Sequence, residues 1–147
     1  MTSVNTFVAT QTKNPDYSNM TYLACCALII QNNQIFVSQR QPFQSYPGLW
    51  EYPGGKLEPN ETTYESLVRE IKEEVDLNIH SAYPIMSLSI PNNHWVSVWL
   101  VEAFTGEAWG KEKQTAKWVS LDQLNTLRFL PSNQPILDYI HQTKVLT

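Results

Sequence analysis

The sequence is poor in cysteine: it has two, Cys25 and Cys26, and they are neighbours. Both lie in an apolar run of strand character, where consecutive side chains point to opposite faces. A disulfide between them is therefore not expected, and a disulfide-stabilised scaffold is excluded. The simpler interpretation is a reduced, cytoplasmic protein.

The chain also lacks a long hydrophobic segment. No run approaches the roughly 18 apolar residues that a membrane-spanning helix needs, so we expect no membrane partner. Residues 1–20 are mostly polar and show no charged start followed by an apolar stretch, which argues against a signal peptide. We interpret residues 1–20 as a loosely ordered N-terminal extension and residues 21–147 as one domain.

Positive charge is scarce. The formal net charge is −4, which argues against binding of duplex nucleic acid, because that binding depends on clustered Lys and Arg. Small anionic substrates remain compatible, since a carboxylate-rich pocket holds a phosphate chain when divalent cations lie between them. The three histidines show no metal-ligand spacing.

What the sequence does contain is strand patterns interleaved with helix patterns. Two hairpins are predicted, one joining residues 21–30 to 35–40 and one joining 79–90 to 95–104, each through an Asn-Asn turn. Short strands are expected at 49–52 and 118–119, a short helix after Ser120 and a last helix over about 134–141. This order predicts a mixed, curved β-sheet flanked by helices, in the α+β class.

The clearest helix pattern follows Thr62. Thr62 and Glu65 have the spacing of a capping box, in which each side chain satisfies a backbone N–H at the helix start. The helix is expected to end near residues 76–78. One apolar stripe recurs at helical spacing and comprises Tyr64, Leu67, Val68, Ile71 and Val75.

Three carboxylates gather on one side of this helix. Glu70 and Glu74 are one turn apart on a flank of the apolar stripe, and Glu73 lies on the more exposed side of Glu70. A bound Mg²⁺ would relieve their mutual repulsion, because this cation prefers oxygen ligands. A solvated acidic face, with Arg69 and Lys72 as local partners, explains the helix equally well.

A Gly-Gly-Lys segment precedes the helix. Gly54 and Gly55 follow a strand and are able to take positive φ, which would bring the backbone close to a metal or a phosphate. Lys56 adds a cation there. Alone, this short segment is more often a plain turn.

The combined pattern resembles a known family. From Gly55 to Leu77 the sequence reads G-x5-E-x7-R-E-I-x-E-E-x-D-L, which is similar to the Nudix box, G-x5-E-x7-R-E-U-x-E-E-x-G-U with U a bulky aliphatic residue. Asp76 departs from the pattern at the Gly that ends the helix. Asp adopts the left-handed conformation less readily, so we expect a small stability cost and intact chemistry. The matching positions are Gly55, Glu61, Arg69, Glu70, Ile71, Glu73, Glu74 and Leu77.

The resemblance extends from about Thr21 to Ile140. LWEYPGGKLE before the helix, EAWGKE at 107–112 and FLPSNQPIL at 129–137 together look like the MutT-type 8-oxo-dGTP diphosphatases. It implies the α/β/α Nudix fold with a catalytic loop-helix-loop. It also implies Mg²⁺, or Mn²⁺, as the cofactor, and a monomer whose partner is a nucleoside triphosphate.

The resemblance implies roles for individual residues. Arg69 would orient the carboxylates and Glu61 would support them, while Lys56 and Arg40 would contact the phosphates. Base recognition would fall to Asn133, with Tyr52 and Arg40 nearby. Two alternatives stay open, an exposed loop carboxylate for Glu112 and an N-cap of the last helix for Asn133. The implied metal-binding set is Gly55, Glu70, Glu73, Glu74 and Glu112.

The reaction implied by the resemblance is attack of water at the β-phosphorus, which releases a nucleoside monophosphate and pyrophosphate. Glu70 is the first candidate for the base that accepts the proton and Glu112 the second. One alternative is a Nudix pyrophosphatase for another nucleotide, such as CTP, a methylated pyrimidine triphosphate or a dinucleotide. The other is a Nudix fold that binds nucleotides without cutting them.

Overall fold

The computed structural model describes residues 6–7 and 21–147. The predicted extension over 1–20 lies outside the described residues except for residues 6–7, and the division of the chain at residue 21 stays a prediction. The strands are β1 (Thr6–Phe7), β2 (Thr21–Leu28), β3 (Ile30–Gln31), β4 (Gln34–Gln39), β5 (Trp50–Glu51), β6 (Gly54–Lys56), β7 (Asn78–Ile90), β8 (His94–Thr105) and β9 (Ala116–Val119). The helices are α1 (Thr63–Val75), α2 (Leu121–Leu124) and α3 (Gln134–Thr143), with a 3-10 turn at Pro131–Asn133.

The strands form two sheets. A five-stranded sheet has the order β1-β7-β8-β2-β6, and a four-stranded sheet has the order β3-β4-β5 with β9 paired to β4. Strands β2 and β8 run parallel and the other pairs run antiparallel, so the larger sheet is mixed. The predicted α+β class, a mixed sheet with flanking helices, is confirmed. The division into two sheets was not anticipated, because pattern alone does not show which strands pair.

Both predicted Asn-Asn turns are confirmed, but the first hairpin is shorter than predicted, because only Ile30–Gln31 pairs with β4 whereas β2 pairs with β6 and β8 of the other sheet. Asn32 and Asn33 have φ of 53° and 57°, and Asn92 and Asn93 have φ of 67° and 63°. Asn accepts this left-handed backbone at low cost. The turns therefore set the register of β3 with β4 and of β7 with β8.

Strand β2 divides two hydrophobic clusters. Cys25, Ala27 and Ile29 belong to the cluster under α1, while Cys26 and Leu28 pack in the cluster that α3 covers. This alternation is the period of two that an extended strand imposes. It confirms that the two thiols point to opposite faces, and both are free.

Helix α1 begins and ends as predicted. Thr62 and Glu65 form both hydrogen bonds of the capping box, and Asp76 ends the helix with φ 63° and ψ 37°. Within the apolar stripe, Leu67 is fully buried, whereas Tyr64 is 36% exposed and only partly covered, its ring packing on Trp99 with centroids 5.5 Å apart. Among the described residues no helix is long and apolar enough to cross a bilayer.

Candidate active site

A cavity of about 570 Å³ opens where α1, strands β2 and β4–β6, and the loops after β8 and before α3 meet. Its volume lies in the usual range of small-molecule sites. Most residues singled out in the sequence line it, whereas Glu61, Arg69 and Glu73 lie outside the wall. The lining residues predicted from the sequence are Arg40, Tyr52, Gly55, Lys56, Glu70, Glu74, Glu112 and Asn133.

The Gly-Gly segment lets strand β6 lie close to its neighbours, and neither glycine adopts a positive φ. Gly54 and Gly55 pair with β2 in strand β6 and are absent from the positive-φ glycines of the described residues, so that prediction was wrong. A Cβ atom on Gly54 would overlap the carbonyl of Cys25, and one on Gly55 would overlap the carboxylate of Glu70. Strand β6 can therefore lie this close to β2 and to α1 only without these side chains.

Arg69 organises the carboxylates beside the cavity. Its Nε donates to Glu61 Oε2 at 2.6 Å and its Nη2 to Glu61 Oε1 at 2.8 Å, a bidentate pair. Its Nη1 donates to Glu70 Oε1 at 2.9 Å and to Glu73 Oε1 at 3.1 Å. A further bond from Nη2 reaches the Lys56 carbonyl at 3.1 Å. One guanidinium thus connects β6, the loop before α1 and two turns of the helix.

Hydrogen bonding and burial shift the pKa values of these carboxyl groups in opposite directions. The Arg69 hydrogen bond lowers the pKa of Glu61 to about 2. Burial raises the pKa of Glu70, although the Arg69 hydrogen bond opposes this. Burial, followed by the charges of Glu51, Glu70 and Glu112, raises the pKa of Glu74 to about 9. Carboxylates crowded at the edge of a cavity are typical of a site that takes a cation.

The loop that carries Glu112 is attached to the end of α1. Lys111 N donates to Glu74 O at 3.1 Å, and Trp109 N donates to Val75 O at 3.2 Å. Gln114 Nε2 also donates to Glu74 O, at 2.9 Å, while Gln114 Oε1 accepts from Glu112 N at 2.9 Å. The carbonyls that a helix end leaves unpaired are thus satisfied by the loop, which brings Glu112 to the cavity.

Arg40 also lines the cavity and is held by three hydrogen bonds. Its Nη1 donates to Glu51 Oε1 at 2.8 Å, its Nη2 donates to Ser45 Oγ at 2.9 Å and its Nε bonds the Ser45 carbonyl. Sequence reasoning missed Glu51, although it is the one charged residue of the short apolar strand segment 49–52. A lone carboxylate in such a strand was the available signal.

The last helix begins at the cavity. Asn133 precedes α3, and its side chain makes no capping hydrogen bond, so the amide is not engaged in the alternative role of an N-cap. Tyr52 also lines the cavity, but it is 4% exposed and stacks on Phe129 with ring centroids 4.9 Å apart. Tyr52 therefore offers little free ring surface to a base.

The side chains fit a hard divalent cation. The carboxyl groups that line the cavity are Glu51, Glu70, Glu74 and Glu112, all oxygen donors. Within residues 6–7 and 21–147, no three acidic, thiol or imidazole side chains already form a metal cage. Mg²⁺ does not need one, because it keeps several waters and binds one or two carboxylates together with substrate phosphates. When bound, such a cation would neutralise phosphate charge and make water a better nucleophile.

Comparison with known families decides the identity of the fold. The NUDIX domain model matches residues 20–140. The chain belongs to the Nudix family of hydrolases. Members of this family generally require a divalent metal ion, and the Nudix box of this chain runs through β6, the loop after it and α1.

Several Nudix proteins are similar over most of their length. The 8-oxo-dGTP diphosphatase of Escherichia coli K12 is 38% identical over 112 residues, which cover 73% of this chain and 85% of the relative. The CTP pyrophosphohydrolase of the same organism is 30% identical over 118 residues, 76% of this chain and 85% of the relative. A MutT structure from work on Aliivibrio salmonicida and Vibrio cholerae superposes with a TM-score of 0.74 at 28% identity, covering 80% of this chain and 94% of that chain.

Proposed function

We propose that this Nudix hydrolase cleaves 8-oxo-dGTP to 8-oxo-dGMP and pyrophosphate with Mg²⁺, and so removes an oxidised nucleotide before it is used for DNA synthesis. A monomeric, cytoplasmic enzyme without a nucleic acid or membrane partner is part of this proposal. The observation that carries it is a single cavity lined by Glu70, Glu74 and Asn133, whose side-chain amide makes no capping hydrogen bond to α3. Such a cavity suits a metal-bound phosphate chain joined to a base.

The phosphate chain belongs at the acidic edge of the cavity. Glu70, Glu74 and Glu112 would hold the cation, with the Gly55 backbone beside them and Glu73 at the exposed side of Glu70. Lys56 forms none of the ion pairs found among the described residues, so its ammonium is available to a phosphate. Arg40, which lines the same cavity, would add a second positive charge.

Water would attack the β-phosphorus, and its oxygen would remain on the departing pyrophosphate while the bond to the nucleoside monophosphate breaks. Glu70 is suited to accept the proton, because burial moves its pKa upward, toward the working pH. Arg69 keeps this carboxylate in place through the bond to Oε1. Glu112 remains the second candidate for the base, since it lines the same cavity.

Asn133 would recognise the oxidised base. Its amide both donates and accepts, which matches the N7–H and O6 of 8-oxoguanine, whereas guanine offers two acceptors there. A second candidate function is cleavage of CTP, which the similarity to a CTP pyrophosphohydrolase favours.

A substrate panel tests the proposal. The values of kcat/KM for 8-oxo-dGTP, dGTP and CTP are measured with Mg²⁺ at low substrate concentration, and pyrophosphate is separated from orthophosphate. We expect pyrophosphate as product and a preference for 8-oxo-dGTP over dGTP on the order of 10²-fold or more, because a wrong base leaves buried polar groups unpaired. Equal efficiencies would contradict the preference, and orthophosphate release would contradict the reaction.

Two variants test whether Asn133 produces the preference for 8-oxo-dGTP over dGTP. Asn133→Ala should lose most of the discrimination between 8-oxo-dGTP and dGTP while cleavage of dGTP continues. Gln134→Ala is the matched control, because this neighbouring amide is exposed and bonds Asp138 at 3.0 Å. Retained discrimination in Asn133→Ala would remove Asn133 from base recognition.

A further inference from the structure

Asp76 is the one residue of the Nudix box that departs from the family pattern. Its backbone takes the left-handed conformation that the usual Gly adopts. Asp in place of Gly therefore adds a side chain at the end of α1. Asp76 Oδ2 accepts a hydrogen bond from the indole Nε1 of Trp109 at 3.1 Å. Asp76 Oδ1 lies 2.8 Å from Lys72 Nζ and 3.5 Å from Lys111 Nζ.

Two of these partners lie in the loop that carries Glu112. Strand β8 ends at Thr105 and β9 begins at Ala116, so residues 106–115 have no strand or helix of their own. The backbone bonds of Trp109 and Lys111 to the end of α1 would form equally well with Gly at position 76. The side-chain contacts of Asp76 are additional and cannot form with Gly.

The hydrogen bond to Trp109 is the stronger of the two loop contacts. It joins a charged acceptor to an indole donor that lies in the loop, and charge-assisted bonds exceed neutral ones. The Lys111 ion pair spans 3.5 Å and its lysine side chain is exposed, so the pair adds little. Trp109 itself is 52% exposed, so packing alone does not hold its ring.

We propose that Asp76 is a positioning residue that fastens the 106–115 loop to α1 through Trp109 and thereby holds Glu112 at the cavity. The proposal rests on the proposed function in one respect, the participation of Glu112 in the reaction. The physical reason is preorganisation: a loop held before substrate arrives loses less conformational freedom when the reacting geometry forms. Asp76 touches neither substrate nor reacting atoms, and acts through the loop.

Hydrogen exchange of backbone amides tests the attachment of the 106–115 loop to α1 independently of enzyme activity. The amides of Trp109 and Lys111 are followed in the wild type, in Asp76→Gly and in Trp109→Phe. We expect exchange to quicken about five- to tenfold in both variants, the effect of losing one solvent-exposed hydrogen bond of typical net strength. Asp76→Asn keeps an acceptor for the indole and should restore most of the protection. Lys72→Met is the matched control, since it removes the helix partner of Asp76 and should leave exchange within twofold of wild type.

Kinetics test the consequence for the site. Asp76→Gly should lower kcat about five- to tenfold with KM for the nucleotide within twofold, and Asp76→Asn should recover most of kcat. In a Glu112→Gln background, Asp76→Gly should have no further effect on kcat, because both changes remove the same contribution. An equal effect in both backgrounds would overturn the positioning role and leave a purely structural one.

The two proposals fail in distinguishable ways. If the wild type hydrolyses no nucleoside triphosphate while exchange responds as expected, the proposed function fails and the attachment by Asp76 stands. Unchanged exchange in Asp76→Gly, with normal hydrolysis by the wild type, would overturn the attachment alone.

Discussion

At the scale of single residues, the site depends on how little space two glycines occupy. Gly54 faces the backbone of β2, and Gly55 faces the end of the Glu70 side chain. Backbone cannot move aside without disturbing the sheet, whereas a carboxylate can rotate away. A side chain at position 54 should therefore lower the stability of the fold, whereas a side chain at position 55 should mainly change the geometry of the site.

Gly54→Ala should consequently affect mainly stability, and Gly55→Ala mainly activity. We expect Gly54→Ala to lower the free energy of unfolding by about 2–3 kcal/mol or more, and Gly55→Ala to cost about 1 kcal/mol but to displace Glu70 and remove most activity. Urea unfolding and kcat for 8-oxo-dGTP are measured for both. A Gly55→Ala variant with wild-type kcat would show that Glu70 does not need its observed position.

Glu70 is the residue whose loss should stop the reaction. We expect Glu70→Gln to lower kcat by about 10²–10⁴-fold, because the amide cannot accept the proton and is a poorer cation ligand. The far-ultraviolet circular dichroism should be unchanged. Glu102→Gln is the control, since Glu102 is exposed on β8 and bonds Ser81 at 3.1 Å. Persistent activity in Glu70→Gln would remove Glu70 from the role of base.

At the scale of elements, α1 holds the acidic residues in register with β6. Its start is set by the Thr62–Glu65 capping box, whose bonds measure 2.9 Å and 3.1 Å. Its end is set by Asp76 and by the loop bonds to Glu74 O and Val75 O. A helix fixed at both ends presents Glu70 and Glu74 to the cavity with little freedom to rotate.

Removing the cap should weaken the helix start without changing the chemistry. Thr62→Ala is expected to lower the free energy of unfolding by about 1 kcal/mol and Tm by roughly 2–4 °C. Thr63→Ala changes the adjacent hydroxyl and should have a smaller effect on Tm. Equal shifts in thermal unfolding for the two variants would show that the capping bond adds nothing.

At the scale of the whole molecule, the cavity joins parts of the chain that are far apart in sequence. Strand β2 lies between two hydrophobic clusters, and β6, α1, the 106–115 loop and the start of α3 meet at its edge. This arrangement concentrates carboxyl groups where water is partly excluded. The charge of these groups should therefore oppose folding when no cation is bound.

The pH dependence of stability follows from Glu74. Its pKa rises from the ordinary 4.5 to about 9, so the folded state retains a proton that the unfolded chain releases. The contribution of Glu74 to the stability of the metal-free protein should be greatest below pH 4.5 and should fall as the pH rises toward 9. Below pH 4.5 the lowered pKa of Glu61 acts in the opposite direction, because protonation of that carboxylate removes stability. Thermal unfolding in a chelator between pH 5 and 9 measures this fall.

Glu74→Gln and added Mg²⁺ provide the checks on this prediction. The amide cannot ionise, so Glu74→Gln should reduce the fall in Tm to the part that Glu70 causes, and the variant should be more stable than the wild type at pH 8 in chelator. Mg²⁺ should raise Tm of the wild type at pH 8, because it binds the folded state. An identical pH profile for wild type and Glu74→Gln would rule out this residue as the source.

Features decided by neighbouring residues could be predicted from the sequence. The Thr62–Glu65 cap, the Asn32–Asn33 and Asn92–Asn93 turns, and the left-handed end at Asp76 were foreseen, because each rests on interactions within a few residues. The Nudix box could be identified because the sequence from Gly55 to Leu77 resembles the family pattern. The functional roles of its residues stay predictions for the variants above.

Only the tertiary structure decided the rest. The approach of Gly55 to Glu70, the Glu51–Arg40 pair, the attachment of the 106–115 loop and the division into two sheets all join segments whose contact no local pattern encodes. Local hydrogen bonding sets where a helix or turn begins. The pairing of distant strands then sets which carboxylates share a cavity and how strongly burial raises their pKa values.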